Sequence, residues 1–428
     1  MLEHNWTGQF TKPAPSLYPH QWNWDAGFIA IGYARYAPQR ALAELDHLFR
    51  GQWAHGMLPQ IVFGDDPEAR YFPGPDFWQT WRSPLAPRQP QTSGITMPPV
   101  HGIALWFLLQ SAPDEQTGLD WIRPLFPKVV AAHRYLYQYR DPQDEGLVYI
   151  RHPWESGTDN SPVWDEPLRR IEVDPQALPP YQRRDLQDPE AARHRPTDAD
   201  YDRYVWLVDL FRRHDYDDKA IEAECPFLVQ DPLFNAILAW ANECLVALGG
   251  MLGEDMRDLL EWNELTIFSL NQRLWDPDQG RYAARDLVAD RLLPTHSSSA
   301  LMPLIAGAPD MDQARRLLEW LDSPSFSGTT DAPAWLCPTF DMQHPAFDPE
   351  RYWRGPVWVN MNWLLYHGLQ RYGLGRHARR LKYDTIELLE RFGFYEYFDP
   401  RRNEPATRGY GTDHFSWSAA LCIDLLAM

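Results

Sequence analysis

Apolar residues recur at the helical spacing i, i+3, i+4 and i+7 along most of the chain, and this periodicity constrains the fold more than any other feature. Several of the segments that show it begin with a proline near the first turn, as at Pro38 and Pro356, and short turns such as 372–375 join neighbours. The sequence therefore predicts an all-α protein of about twelve helices. They are expected at 24–36, 38–52, 98–111, 121–140, 200–212, 231–249, 253–275, 297–305, 310–322, 354–372, 374–392 and 413–427.

A turn signature recurs between the predicted helix pairs. It stands at 141–146, 275–280 and 398–403, each with an Asp-Pro pair and a Gly or Asn close behind. Such a turn between extended residues is typical of a β-hairpin. Six helix pairs with short hairpins along one rim predict a closed ring, the (α/α)6 barrel or toroid.

No Gly/Ser linker or low-complexity segment divides the chain, so we expect residues 1–428 to form one domain. Two segments, 53–97 and 150–199, lack the helical period and are rich in Pro, Gly, Trp and Asp. We expect both to be long loops that cover one end of the barrel, where functional residues usually lie.

The charge balance excludes several classes of partner. The chain has 40 basic and 59 acidic residues, a net charge of −19, which repels nucleic-acid phosphates and anionic lipid headgroups. No apolar run approaches the roughly 18–20 residues of a membrane span, and the N-terminus shows no basic or apolar leader. We expect a cytoplasmic protein without nucleic-acid or membrane partners. No feature encodes the oligomeric state, so a homo-oligomer remains open.

Cofactor and metal chemistry has no support in the sequence. The four cysteines are far apart with no Cys-x-x-Cys pair, so buried thiols are expected rather than a zinc cluster or a disulfide framework. There is no His-Glu-x-x-His, no phosphate-binding Gly-Lys-Ser/Thr loop, no dinucleotide glycine fingerprint and no Gly-x-Ser-x-Gly elbow. We expect chemistry with no cofactor and no metal.

Aromatic residues are unusually frequent, with 20 Trp, 20 Tyr and 19 Phe. Many indoles in an acidic chain suggest platforms for the apolar C–H faces of sugars. A large core whose loops are closed by Trp and Pro is the alternative. Composition alone leaves both interpretations open.

The densest group of chemically useful residues is 154–165, which holds three acids and two Trp around Gly157. Aromatic neighbours remove water from a carboxyl group and raise its pKa, so that it holds a proton near neutral pH as a glycosidase acid must. A surface turn with Asx caps is the alternative.

Two more carboxyl groups stand beside aromatic residues. Glu396 has four aromatic neighbours in the segment 393–400, and burying such a group is costly without a purpose. A Glu that points to solvent from a strand is the alternative. Asp25 follows Trp22 and Trp24, where it could cap the first helix or accept hydrogen bonds from sugar hydroxyls.

Two segments place cations near aromatic residues. The segment 351–358 has arginines and indoles at a predicted helix start, which suits an anionic or sugar ligand. The segment 194–204 contains Arg195, which could bind a carboxylate bidentately, although a structural salt bridge is the simpler explanation.

The segments 154–162, 352–358 and 393–400, in this order, resemble glycoside hydrolase family 63, and 415–420 resembles the last helix of that family. The resemblance covers nearly the whole chain. It is strongest to the short bacterial members, especially those of thermophiles, that hydrolyse mannosylglycerate and glucosylglycerate. It implies an (α/α)6 barrel and hydrolysis with inversion at the anomeric carbon.

The same resemblance implies a role for each of the three acids. Asp159 would be the general acid that protonates the glycosidic oxygen as glycerate leaves. Glu396 would be the general base that activates water on the opposite face of the sugar. Asp25 would be a third acid that binds sugar hydroxyls.

The resemblance also implies a set of substrate-binding residues. They are Trp22, Trp24, Trp154 and Trp358 around the sugar, Tyr352 and Trp353 in the motif beside the leaving group, and Arg195 and Tyr201 in a segment that closes over the glycerate carboxylate. One departure concerns Met97, where relatives often have Gln before the Pro-Pro pair. If that Gln contacts a sugar hydroxyl in relatives, its loss would change which hexose is preferred.

The substrate expected from the sequence is therefore a small anionic sugar, 2-O-α-mannosylglycerate and also α-glucosylglycerate. The alternatives are an α-glucosidase or trehalase-like enzyme of a neutral disaccharide, and a sugar-binding protein without catalysis. A buried Arg195 that only a carboxylate can pair would reject neutral disaccharides by on the order of 10²–10⁴ in rate. No residue pattern distinguishes mannose from glucose.

Overall fold

The fold is mostly helical, and each predicted helical segment contains a helix. The computed structural model describes residues 1–66, 68–174, 176, 178–186, 192–402 and 408–428. The described helices of eight residues or more are α1 Asn23–Ala34, α2 Pro38–Arg50, α3 His101–Gln110, α4 Glu115–Ile122, α5 Phe126–Arg140, α6 Asp198–Arg213, α7 Pro232–Leu252, α8 Arg257–Ser269, α9 Met311–Leu321, α10 Val359–Arg371, α11 Gly375–Phe392 and α12 Ser416–Ala427.

Six helices pack against one another in a closed cycle. In order they are α1, α3, α7, the short helix Pro303–Ala306, α10 and α12, and α12 packs back against α1. Every residue of α1 and of Pro303–Ala306 is buried, as expected for helices that are apolar on all sides. A second helix lies outside each of four of them, since α2 packs on α1, α4 on α3, α8 on α7 and α11 on α10.

Several helix boundaries differ from the sequence prediction. The segment predicted as one helix over 121–140 is broken before α5, and α4 was not predicted. The segment 297–305 is a 3₁₀ turn, Ser298–Leu301, followed by Pro303–Ala306. Helix α10 begins at Val359 rather than at 354, because Val357 is extended and exchanges backbone hydrogen bonds with Phe398.

Two of the three predicted hairpin turns stand between paired strands. The strands are β1 Gln21–Trp22, β2 Ile61–Val62, β3 Val229–Gln230, β4 Trp275–Asp276, β5 Arg281–Tyr282, β6 Arg285–Asp286, β7 Arg291–Leu292, β8 Tyr397–Phe398 and β9 Gly409–Tyr410. β4 pairs with β5, and β8 with β9, while Asn403 of the predicted third turn lies outside the described residues. The prediction of a hairpin at 141–146 is wrong, because Ile150, which follows this turn, forms a β-bridge with the distant Val229.

The two segments predicted as covering loops contain little regular structure in their described parts. Within 53–97 there are β2 and the short helical turns Pro75–Trp78 and Thr80–Arg82. β2 pairs antiparallel with β1, with Trp22 opposite Ile61, which fastens this loop to the start of α1. The segment 150–199 contributes the turns Pro153–Ser156, Pro162–Trp164 and Asp165–Arg169. Its residues 175, 177 and 187–191 lie outside the description.

The longest described helix, α7, corrects one expectation from the sequence. Its length and composition alone would allow it to cross a membrane, but 72% of its apolar window is buried inside the protein. Its neighbours in the helical cycle provide that burial, as for a core helix. All four cysteines are free and buried, as predicted.

Asp424 connects three of the inner helices. Its side chain on α12 is fully buried and accepts a hydrogen bond from Trp363 Nε1 of α10 at 2.7 Å. Its other oxygen accepts one from Arg35 Nε, at the C-terminal cap of α1, at 2.6 Å. A buried carboxylate with two donors is stable, but removal of the carboxylate leaves both donors without a partner.

We expect Asp424→Ala to lower the free energy of unfolding by about 2–3 kcal/mol, because it leaves a buried indole N–H and a guanidinium unpaired. Urea unfolding followed by circular dichroism measures this change. The control is Asp46→Ala, which removes a half-exposed partner of Arg50 and Lys128 and should cost about 0.5 kcal/mol or less. Equal losses in the two variants would contradict the role of Asp424.

Candidate active site

One cavity lies where four inner helices begin. Asp25 is in the first turn of α1, Met97 precedes α3, Trp358 precedes α10, and Phe415 precedes α12, and all four line it. The two loop segments 53–97 and 150–199 supply further lining residues. Every site residue predicted from the sequence is in this lining: Trp22, Trp24, Asp25, Trp154, Asp159, Arg195, Tyr201, Tyr352, Trp353, Trp358 and Glu396.

The aromatic side chains form a rigid wall. Trp353 and Trp358 stack with ring centroids 3.7 Å apart and planes 7° apart, and Trp358 stacks on Tyr397 at 4.9 Å. Trp24 meets Trp417 edge to face at 5.4 Å. Such contacts fix the orientation of each ring, so the wall presents preformed flat surfaces to a ligand.

Glu396 is buried, with 1% of its surface exposed, so the interpretation of a carboxylate that points to solvent is wrong. Its Oε1 accepts a hydrogen bond from Tyr18 Oη at 2.7 Å. Its Oε2 accepts from Arg195 Nη2 at 3.1 Å and from the backbone N–H of Thr412 at 3.2 Å. The buried negative charge is therefore compensated by three donors.

Asp159 lies in the covering loop 150–199. Burial raises the pKa of its carboxyl group to about 7, and the negative charge of Glu396 adds to this, while Arg195 opposes it. Tyr352 Oη contacts Oδ2 at 3.4 Å, and Tyr204 Oη donates to the Asp159 carbonyl at 3.1 Å. A carboxyl group of this kind is partly protonated at neutral pH, as a general acid must be.

Asp25 is another buried acid of the cavity, with 4% of its surface exposed. Burial raises the pKa of its carboxyl group well above the usual value, and the charges of Glu396 and Asp159 raise it further. The interpretation of Asp25 as a helix cap is wrong, because the N-cap of α1 is Trp22 and α1 has no side-chain cap.

Arg195 lies at the centre of the polar contacts. Besides Glu396, its guanidinium donates from Nη1 to Tyr18 Oη at 2.9 Å. Its guanidinium carbon is 4.6 Å from the centre of the Tyr352 ring, which favours a cation–π contact. The buried guanidinium is therefore bound to a carboxylate and aromatic residues at once. It does take part in a salt bridge, as the simpler sequence interpretation held, but inside the cavity.

Tyr201, on α6, is tied to the other covering loop. Its Oη donates to the carbonyl of Phe72 at 3.1 Å, and the guanidinium carbon of Arg183 lies 4.3 Å from the centre of its ring. The beginning of α6 is fixed by a capping box between Thr197 and Asp200. The two loops thus meet over the cavity through Tyr201.

Arg354 does not line the cavity, although its segment suggested that it binds a ligand. It forms two hydrogen bonds with Asp165, at 2.8 and 2.7 Å, and one with the carbonyl of Asn160 at 3.2 Å. Asn160 Oδ1 in turn accepts from the backbone N–H of Trp353 at 3.0 Å. These bonds join the loop of Asp159 to the loop of Tyr352 and Trp353.

Glu155 is a structural member of the acidic segment. It is fully buried and forms a bidentate pair with Arg140, at 3.0 and 2.9 Å. It also accepts from the backbone N–H groups of Arg151 and Thr96. The arginine charges lower the pKa of its carboxyl group, so it stays ionised and anchors the base of the Asp159 loop.

Several lining residues were not predicted from the sequence, among them Tyr18, Gln60, Tyr71, Asp185 and Trp417. Tyr18 could have been found, because it begins the same aromatic segment as Trp22 and Trp24. Gln60 had no such signal. It is 6% exposed, and its side-chain oxygen has no hydrogen-bond partner in the described part of the chain.

This arrangement of carboxyl groups and indoles around one cavity is that of a glycoside hydrolase. Residues 18–418 match the family model described as the mannosylglycerate hydrolase MGH1-like glycoside hydrolase domain, and the chain belongs to this family. The mannosylglycerate hydrolase of Rubrobacter radiotolerans is 45% identical over 426 residues, covering 100% of this chain and 95% of that protein. That of Thermus thermophilus is also 45% identical, covering 99% and 98%. A glucosylglycerate hydrolase of Mycolicibacterium hassiacum is 37% identical, covering 100% and 96%.

Solved structures agree with this assignment. The GH63 mannosylglycerate hydrolase of Thermus thermophilus in complex with Tris and D-glycerate has a TM-score of 0.90 and 44% identity, covering 100% of this chain and 98% of that one. The same enzyme in complex with glucose has a TM-score of 0.88. The neutral trehalase Nth1 of Saccharomyces cerevisiae, at 16% identity and a TM-score of 0.59, covering 98% and 73%, shares the fold.

Gly157 controls the position of the Asp159 loop. It has a φ of +72°, and a Cβ there would lie 2.4 Å from Cη2 of Trp24. We expect Gly157→Ala to displace this loop and to lower kcat by on the order of 10², as a shift of about 1 Å in an active site does. Steady-state kinetics measures this loss. The control is Gly253→Ala, with a φ of +77° but nothing within 4 Å, which should keep kcat. Unchanged kcat in both variants would contradict this role.

Proposed function

We propose that the protein hydrolyses 2-O-α-mannosylglycerate, and also α-glucosylglycerate, to the free hexose and glycerate. The observation that carries this proposal is the buried Arg195, which lines one cavity together with Asp159 and Glu396. A buried cation suits an anionic leaving group, and two carboxyl groups suit glycoside hydrolysis. The named activities of the relatives and the D-glycerate bound to the Thermus enzyme support the same substrate class.

In the proposed mechanism the configuration at the anomeric carbon is inverted. Asp159, whose raised pKa lets it carry a proton, gives this proton to the glycosidic oxygen as the bond to C1 breaks. Glu396 takes a proton from a water molecule whose oxygen attacks C1 from the other face. Asp25 binds hydroxyl groups of the sugar, and the indoles of the cavity wall contact its C–H faces.

We also propose a finer description of the fold. The closed cycle of six inner helices, four of them backed by an outer helix, supports an (α/α)6 toroid that forms one domain over 1–428. Four inner helices begin at the cavity, and their N-termini direct partial positive charge toward it. The toroid therefore presents its acids in a field that favours an anionic substrate.

The substrate is tested by measuring free hexose released from mannosylglycerate, glucosylglycerate and trehalose at equal concentrations. We expect turnover of the glycerate substrates and a rate lower by on the order of 10²–10⁴ for trehalose, because trehalose has no carboxylate for Arg195. Asp159→Asn and Glu396→Gln should each lower kcat by on the order of 10²–10⁴. Asp258→Asn, a partly exposed acid paired with Arg134, is the control that should keep it. Turnover of trehalose alone would contradict the proposal.

The pH dependence follows from the general acid. Asp159 must be protonated to act, and its pKa is raised to about 7, so kcat/KM for mannosylglycerate should fall as the pH rises through about 7. A profile of kcat/KM from pH 5 to 9 with a pH-stable buffer series measures this fall. Activity that keeps rising up to pH 9 would show that Asp159 is not the acid.

A further inference from the structure

The guanidinium of Arg195 is almost completely buried, and one of its three nitrogens has no hydrogen-bond partner in the described part of the chain. Nη2 donates to Glu396 and Nη1 to Tyr18, at 3.1 and 2.9 Å. Nε is buried without any hydrogen-bond partner in the described part of the chain. A buried N–H without an acceptor is unfavourable, so Arg195 has an open position for one more acceptor.

Glu396, the proposed base, is at the same time the partner of this cation. Its Oε2 takes two donors, Arg195 and the backbone N–H of Thr412, and its Oε1 takes Tyr18. The other charged or titratable side chains that face this group are Asp25, Tyr71, Asp159, Tyr352 and Tyr397. The two donors occupy both lone pairs of Oε2, so this oxygen cannot also accept from a water molecule. The contact with Arg195 therefore occupies an acceptor position that Glu396 would otherwise offer to water.

Arg195 also reaches toward the side of the general acid. Its guanidinium carbon lies 4.6 Å from the centre of the Tyr352 ring, and the hydroxyl of Tyr352 contacts Asp159 at 3.4 Å. The leaving group departs on the side of Asp159. A carboxylate on that leaving group has the same acceptor chemistry as Glu396 and can approach the open Nε–H.

We propose that the carboxylate of the leaving group exchanges with Glu396 as the partner of Arg195, and that this exchange releases Glu396 to act as the base. This inference rests on the proposed function. The freed Glu396 takes a proton from water, the water oxygen bonds to C1, the bond from C1 to the glycerate oxygen breaks, and that oxygen takes the proton of Asp159. A neutral leaving group leaves Arg195 on Glu396. A substrate with a carboxylate on its leaving group is therefore favoured in its turnover rate as well as in its affinity.

The test uses α-mannosyl fluoride, a neutral substrate that leaves the glycerate position empty, with fluoride release measured at increasing D-glycerate. In the natural protein we expect glycerate to raise the rate about tenfold, within the range of measured couplings between two ligands. Glycerol, which lacks the carboxylate, should not activate. Arg195→Met should abolish the activation. Arg203→Met, a half-buried cation paired with Asp200 outside the cavity lining, should keep it.

The outcomes separate this inference from the proposed function. Mannosylglycerate turnover by the natural protein, together with glycerate that inhibits fluoride release or leaves it unchanged, would overturn the exchange alone. Activation by glycerol, or equal activation in Arg195→Met, would overturn it as well. The comparison of glycerate with glycerol needs no variant and holds even if Arg195→Met fails to fold. Absence of mannosylglycerate turnover in the natural protein would remove the proposed function itself.

Discussion

The site depends on the buried contact between Arg195, Tyr18 and Glu396. A carboxylate and a guanidinium that lie out of water cost several kcal/mol each unless they are well paired. Here the guanidinium of Arg195 donates a hydrogen bond to the carboxylate of Glu396. The hydroxyl of Tyr18 bonds to both groups, donating to Glu396 and accepting from Arg195. The contact spans three distant parts of the sequence, so it forms only when the covering loop, the segment before α1 and the β8–β9 region are all in place.

The surrounding scaffold fixes two further relationships. Glu155 with Arg140 anchors the base of the Asp159 loop, and Arg354 with Asp165 joins this loop to the one that carries Tyr352. These pairs are ionic, but none of their four side chains is part of the cavity lining. They leave Asp159, Glu396 and Asp25 as the acids of the cavity whose charges act on each other. The raised pKa of Asp159 is a consequence of burial and, in smaller part, of the negative charge of Glu396.

Much of this arrangement was predictable because the helical period and the aromatic motifs are local. Every helix of eight residues or more except α4 was located from its pattern, and the loop acids were located from their aromatic neighbours. Long-range pairing was not predictable. The pattern 351–358 indicated a ligand for Arg354, but its partner is Asp165, far along the chain. Likewise Glu396 could have pointed to solvent, and only the fold brings Tyr18 and Arg195 to it. Gln60 lines the cavity because β2 pairs with β1, a contact that no local pattern indicates.

The proposed mechanism requires that Asp159 and Glu396 act on opposite faces of one sugar, with room for water between them, because the configuration at C1 is inverted. Proton NMR of mannosylglycerate during the first minutes of hydrolysis tests it most directly, because the anomeric protons of α- and β-mannose are resolved before mutarotation mixes them. We expect β-mannose to appear first and α-mannose to follow slowly. Appearance of α-mannose first would show retention of configuration and would contradict the assignment of Glu396 as the base that activates water.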